Sequence, residues 1–112
     1  MSKTLISTLL ESDNYFSINK SLAKSLGFLN AAVLQELISK YFYYYKKDEL
    51  TEFGFFYLES KIADDFGISE STAGRIIDQL VKLELITKSR KGVPARIYYN
   101  LPGDILEKIT KI

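Results

Sequence analysis

Between Ser69 and Leu83 the apolar side chains fall at Ala73, Ile76, Ile77, Leu80 and Val81, the i, i+3, i+4, i+7, i+8 spacing of a single helical face. No other stretch of the chain restricts folding as much. A helix over Glu70 to about Leu83 has to bury that stripe against a core, which leaves the opposite face to solvent or to a partner. Ser69 suits the N-cap position, and Glu70 follows at the positive end of the helix dipole. On the same wheel the outward face carries Ser71, Arg75, Asp78 and Lys82, flanked by Thr72, Gly74 and Gln79.

The neighbouring segments extend this helix into a device. Upstream, "SKIADDFG" reads as a shorter helix from Lys61 to Phe66 with Ser60 as its N-cap, Ile62, Ala63 and Phe66 inward, and Gly67 able to end it in the left-handed conformation. Two short helices joined by Phe66-Gly67-Ile68-Ser69 describe a helix-turn-helix. Downstream, "LITKSR" and "RIYYNL" read as short strands around the loop "KGVPA", with Gly92 supplying the turn and Pro94 staying out of the ladder. The aromatic segment "FFYLE" is a candidate third strand.

Towards the amino end, a short helix around Lys20 to Leu26 is stopped by Gly27. Asn30 is then expected to cap a long helix from Ala31 to about Lys46. The buried stripe expected there is Leu34, Leu37, Ile38, Tyr41, Phe42 and Tyr45, with Tyr43 on the opposite face. Amphipathic helices at 3–11 and 103–111 flank a core of about 18–101. With 112 residues the chain is expected to form one domain. The fold class that follows is mainly α with a small antiparallel sheet, a winged helix-turn-helix.

Charge decides what such a fold would meet. The net charge is only +1, but it is unevenly spread. From Ser69 onward eight Lys and Arg face five acids, whereas residues 1–68 hold seven against nine. Between Thr87 and Arg96 four cations, Lys88, Arg90, Lys91 and Arg96, meet no acid. A DNA major groove about 12 Å wide admits one helix. The reading is therefore duplex-DNA binding, with Ser71, Thr72, Arg75, Gln79 and Lys82 on a recognition helix over about 70–83. A basic wing at about 90–96, with Lys88, Arg90, Lys91 and Arg96, would reach phosphates or a minor groove. Gly74 fits close approach of the helix backbone to a surface.

Blander readings stand beside this one. Asp78 can pair with Arg75 and Lys82 along the helix, leaving a merely solvated face. The alternative function is a winged-helix docking module that binds protein without touching DNA. Enzymatic chemistry is not expected, and neither is a cofactor or a metal. The chain lacks Cys and His, and the adjacent pair Asp64-Asp65 points about 100° apart on a helix. No Gly-rich loop precedes a Lys-Ser/Thr pair. No uncharged apolar stretch approaches ~20 residues, and "MSKTLISTLLESDNYF" has no signal-peptide core, so a cytoplasmic location is expected.

The succession "LNAAVLQELIS", "FFYLESKIADDFGISESTAGRIIDQLVKLELI" and "KGVPARIYYN" resembles the winged-helix modules at the amino end of plasmid replication initiators and phage replisome organisers. The resemblance runs from about Ile18 to Leu101. It implies that the helix from Glu70 to Leu83 enters the DNA groove and that the wing from Arg90 to Arg96 touches the backbone. Ser71, Thr72, Arg75 and Gln79 would be the helix contacts, and Arg90, Lys91 and Arg96 those of the wing. It suggests a role at a replication origin; the function expected is that of a replication-origin-binding or transcription-regulating protein of a microbial, plasmid or viral system, with replication or transcription proteins as possible partners. Many relatives have Gly after the recognition helix, where this chain has Glu84. Such initiators usually carry further domains, so unwinding or helicase loading is not expected of this chain alone. A homodimer joined through the terminal helices would double the phosphate contacts and read a palindromic site.

Overall fold

The structure is a computed structural model, and it describes Phe16 and residues 18–105. The expected helix at 3–11 and most of the one at 103–111, and with them the expected dimer seam, lie outside the described residues.

The first described helix, α1 (Lys20–Leu26), starts at Asn19. The Asn19 side chain accepts from the Ser21 and Leu22 amides at 2.9 and 3.1 Å. After the single residue Gly27 comes α2 (Phe28–Lys46). Asn30 is therefore not the cap. It sits in the first turn of α2, where its Nδ2 donates to the Leu26 carbonyl at 3.1 Å. Gly27 takes the cap position, and the Ala31 amide donates to the Gly27 carbonyl at 3.0 Å. Four consecutive residues of α2, Ala31 to Leu34, are buried, and Leu37 continues the stripe one turn on. A helix buried on several sides in this way is surrounded by the other elements rather than laid over them.

Further along α2 the expected stripe changes track. Ile38 and Tyr41 pack against the core as expected, but Phe42 is 49% exposed and Tyr45 65%. Tyr44 turns inward instead and stacks on Phe55 with ring centroids 5.6 Å apart. The five residues from Tyr41 to Tyr45 are all aromatic, so their hydropathy carries no periodic contrast to choose between tracks. The position of Phe55 makes the choice. Tyr43 is exposed, as expected.

A tight turn, closed by reciprocal bonds between Thr51 and Gly54 of 2.9 and 3.0 Å, leads into β1 (Phe55–Phe56). Then α3 (Glu59–Phe66) begins two residues earlier than expected. Leu58 occupies the cap position without a side-chain bond, and Ser60 lies inside the first turn. Glu59 provides the negative charge that favours a helix start there. Ile62 and Ala63 are buried, and Phe66 stacks on Phe16 at 4.2 Å. Gly67 adopts φ 64 and ψ 35, the left-handed conformation that lets α3 stop and the chain reverse.

Ser69 caps α4 (Glu70–Lys82), its Oγ accepting from the Thr72 amide at 3.1 Å. Ala73, Ile76, Ile77 and Leu80 are all buried, and Val81 packs at the margin. The chain leaves α4 through Glu84 at φ 60, the left-handed backbone region where a side chain costs about 1–2 kcal/mol. Leu85 and Ile86 are buried on the way into β2 (Thr87–Lys91), which turns through 92–95 into β3 (Arg96–Asn100).

The sheet is antiparallel with order β1-β3-β2. Phe55 lies opposite Tyr99, Lys88 opposite Tyr99, Arg90 opposite Ile97, and Lys91 opposite Arg96. A core of Val33, Leu34, Leu37, Phe55, Ile62, Ile76, Ile77, Leu80 and Tyr99, among others, joins both faces of α2 to α3, α4 and the inner face of the sheet. A mainly helical chain with a helix-turn-helix followed by a hairpin that pairs with an upstream strand has the winged-helix layout.

Candidate nucleic-acid interface

Burial of the α4 stripe leaves Ser71, Arg75, Asp78, Gln79 and Lys82 exposed, with Thr72 and Gly74 half-buried between the two faces. Ser71, Arg75, Gln79 and Lys82 line one open groove. Thr72 stands apart from it, because its amide and its Oγ1 are both bonded to the Ser69 hydroxyl, the latter at 2.9 Å.

The groove is not purely basic. Glu59 of α3 and Glu70 and Asp78 of α4 share it with Arg75 and Lys82. The helical pairs that would neutralise the cations are not formed. Among the described residues the ion pairs are Glu36–Lys40, Lys61–Asp65 and Glu59–Lys88, so Arg75 and Lys82 keep their charges unpaired. Gln79 has a partner from elsewhere in the fold, since its Oε1 accepts from Asn30 Nδ2 at 3.1 Å. That bond fixes the amide of Gln79 with its nitrogen directed away from α2.

Glu59 is the residue that sequence reasoning missed. Its Oε1 accepts from Lys88 Nζ at 2.7 Å and from the Tyr99 hydroxyl at 3.5 Å. Its Oε2 lies 3.3 Å from where a Cβ on Gly74 would stand. A carboxylate of the neighbouring helix therefore lies close against Gly74. Burial, and then the adjacent carboxylate, holds the Tyr99 phenol well above the usual tyrosine range, so it remains a proton donor to Glu59. Through Glu59 the base of the wing is fastened to α3.

The four wing cations do not share a face. Strand alternation puts Lys88 and Arg90 on the side of Tyr99 and Ile97. Lys91 and Arg96 emerge on the opposite side. There Lys91 Nζ lies 5.0 Å from the Phe53 ring centroid, and the Arg96 guanidinium 5.1 Å from that of Phe56. The hairpin thus presents one cationic pair on the inner side of the sheet, with Lys88 already paired to Glu59, and a second pair on the outer face. Asp65, one of the two adjacent carboxylates, accepts from the Tyr57 hydroxyl at 3.3 Å and lies 3.9 Å from Lys61 Nζ. Among the described residues no cluster of three or more acids could hold a metal ion, and no helix is long and apolar enough to cross a membrane.

No family model and no curated protein matches the chain. Solved structures do share its fold. One is the ST1889 protein from the thermoacidophilic archaeon Sulfolobus tokodaii, with a TM-score of 0.57 and 20% identity over 96% of this chain and 85% of that one. Another is the N-terminal domain of a DNA-binding protein, with a TM-score of 0.61 and 15% identity over 99% of this chain and 92% of that one. At such identities the likeness is one of fold, and it falls on the same helix-and-sheet arrangement that the register and burial describe.

Proposed function

We propose that the protein binds duplex DNA in a sequence-specific manner, α4 entering the major groove and the hairpin contacting the flanking backbone. The observation that carries this reading is the pair of cations, Arg75 and Lys82, unpaired among the described residues, on the outward face of the second helix of a helix-turn-helix that is followed by a hairpin with Arg90 and the Glu59-paired Lys88 on its inner side. The fold likeness to the N-terminal domain of a DNA-binding protein supports it. The mechanism is positional: cations fix the register on phosphates, and Arg75, Ser71 and Gln79 face base edges. Enzymatic turnover has no part in it. The biological setting we infer is origin recognition in replication or control of transcription.

Salt titration of a labelled mixed-sequence duplex tests the reading. The log–log slope of affinity against salt is expected near −0.9 per phosphate neutralised, and it should flatten by about one such unit in Arg90→Ala. A docking module is the second reading, favoured by the three acids that share the groove with Arg75 and Lys82. Absence of duplex binding at low salt would establish it over the first. We further propose that the protein acts as a homodimer, as a palindromic site would require. Elution as a monomer in sizing chromatography at high micromolar concentration would exclude that.

A further inference from the structure

The pleat that separates the wing cations also separates the aromatic residues of the sheet. Phe55 and Tyr99 point inward and are 2% and 1% exposed. Phe56 and Tyr98, their chain neighbours, point outward, where Phe56 is 38% exposed and Tyr98 is half-buried. Phe53, from the turn before β1, joins them. Tyr98 lies between the two, with centroids 6.0 Å from Phe53 and 6.2 Å from Phe56. Three rings thus form a partly exposed patch, with Lys91 over the Phe53 ring and Arg96 over that of Phe56.

Each cation rests over a ring, a contact of about 0.5–1 kcal/mol at an exposed site, and this has to offset the repulsion between the two. Lys91 and Arg96 are directly opposite each other across the hairpin, an arrangement in which like charges destabilise a sheet. Among the described residues neither is in an ion pair. The acid that adjoins the patch in the chain, Glu52, is exposed on the turn beside Phe53. A polyanion would relieve the repulsion. The rings specify which kind, since a duplex keeps its bases stacked on one another while a single strand offers their faces to aromatic side chains.

We propose that the outer face of the sheet binds single-stranded DNA, Lys91 and Arg96 swinging from over the Phe53 and Phe56 rings to the phosphates while bases stack on Phe53, Phe56 and Tyr98 in their place. Stacking needs no ribose hydroxyl, so the choice of DNA over RNA rests on the duplex reading of the α4 face. The stacking itself does not. The two surfaces lie on opposite sides of one hairpin, Lys88 and Arg90 on one and Lys91 and Arg96 on the other. A strand separated from a bound duplex would meet the second surface by passing the hairpin.

The chain contains no Trp, so Phe56→Trp would place a single fluorescent reporter at the rim of the patch. Titration of that variant with oligo(dT) is expected to quench its emission, as base stacking does. Lys91→Gln with Arg96→Gln in the same background should weaken the binding, and Phe56→Leu in the otherwise native chain should weaken oligo(dT) binding read by anisotropy roughly 5- to 100-fold. Far-UV circular dichroism checks that each variant is folded, and the Phe56→Leu measurement decides the matter if the Trp variant is not. Arg75→Ala should leave oligo(dT) binding unchanged. No quenching, quenching by duplex at equal affinity, or an equal loss in Arg75→Ala would each overturn the proposal. Tighter binding of oligo(U) would overturn its assignment to DNA. An emission shift that follows protein concentration without oligonucleotide would mean that a second copy of the chain covers the face. Loss of duplex binding with oligo(dT) binding intact would count against the α4 reading alone, and the reverse against this one alone.

Discussion

Gly54→Ala is expected to bring the urea unfolding midpoint far below that of the native chain. Gly54 is buried, sits at φ +101, and lies so close to β3 that a Cβ would overlap the Tyr99 carbonyl and crowd the Asn100 side chain. Neither obstacle can move cheaply. Tyr99 is held in the core on one side and paired with Phe55 and Lys88 on the other. Relief would have to come from separating β1 from β3, which withdraws Phe55 from Tyr44 and Tyr99. We expect a loss of about 3 kcal/mol or more, combining left-handed strain with overpacking, against a total stability on the order of 5–15 kcal/mol. Gly67→Ala is the control. It has a positive φ too, but nothing lies within 4 Å of its added Cβ, so the expected loss is about 1 kcal/mol. Urea denaturation followed by circular dichroism would measure both. Equal midpoints for the two variants would show that the Thr51–Gly54 turn does not press on β3 as described.

The contrast between these glycines shows which parts of the molecule local sequence could reveal. Gly67 announced itself because it follows a helical stripe and precedes a Ser cap, and both signals lie within a few residues of it. Ser69 and the stripe of α4 were legible for the same reason, and burial of Ala73, Ile76, Ile77 and Leu80 follows the spacing without exception. Gly54 carried no such signal, since its constraint comes from a carbonyl 45 positions away. The caps at Asn30 and Ser60 failed differently. Each residue type favours an N-cap, but Gly27 lets α2 start directly after α1, and Glu59 at the start of α3 extends that helix past Ser60.

The candidate site divides along the same line. The outward residues of α4 followed from the wheel alone. The partners that modify them, Asn30 on Gln79 and Glu59 beside Gly74, come from 49 and 15 positions away and depend on how the helices pack. For the wing, alternation along each strand was readable, but the pairing register across "KGVPA" was needed to show which cations share a side. Once Lys91 lies opposite Arg96, the basic cluster becomes two pairs facing apart, with different neighbours.

Arg75→Ala and Glu59→Gln are expected to move duplex affinity in opposite directions, and together they test the groove more sharply than either would alone. Arg75 is the exposed, unpaired cation at the centre of the outward face of α4. If its guanidinium makes a bidentate contact with a base edge, its loss costs about 1–3 kcal/mol, or roughly 5- to 150-fold, and relaxes preference at that base pair. Glu59 acts against binding on two counts. It sets a carboxylate in the groove where phosphates would approach, and it holds Lys88 Nζ at 2.7 Å. Glu59→Gln retains the shape and a hydrogen-bond acceptor for Tyr99 while removing the charge. Lys88 is then available to a phosphate, and the salt slope should steepen by about 0.9. Folding should hardly change, because a partly exposed ion pair of this kind contributes on the order of 0–1 kcal/mol. Selection from a randomised duplex library, followed by salt titration of the chosen sequence, would measure both effects. Wild-type affinity and slope in both variants would place the DNA contact elsewhere, since a polyanion seated in this groove has to register the loss of either charge.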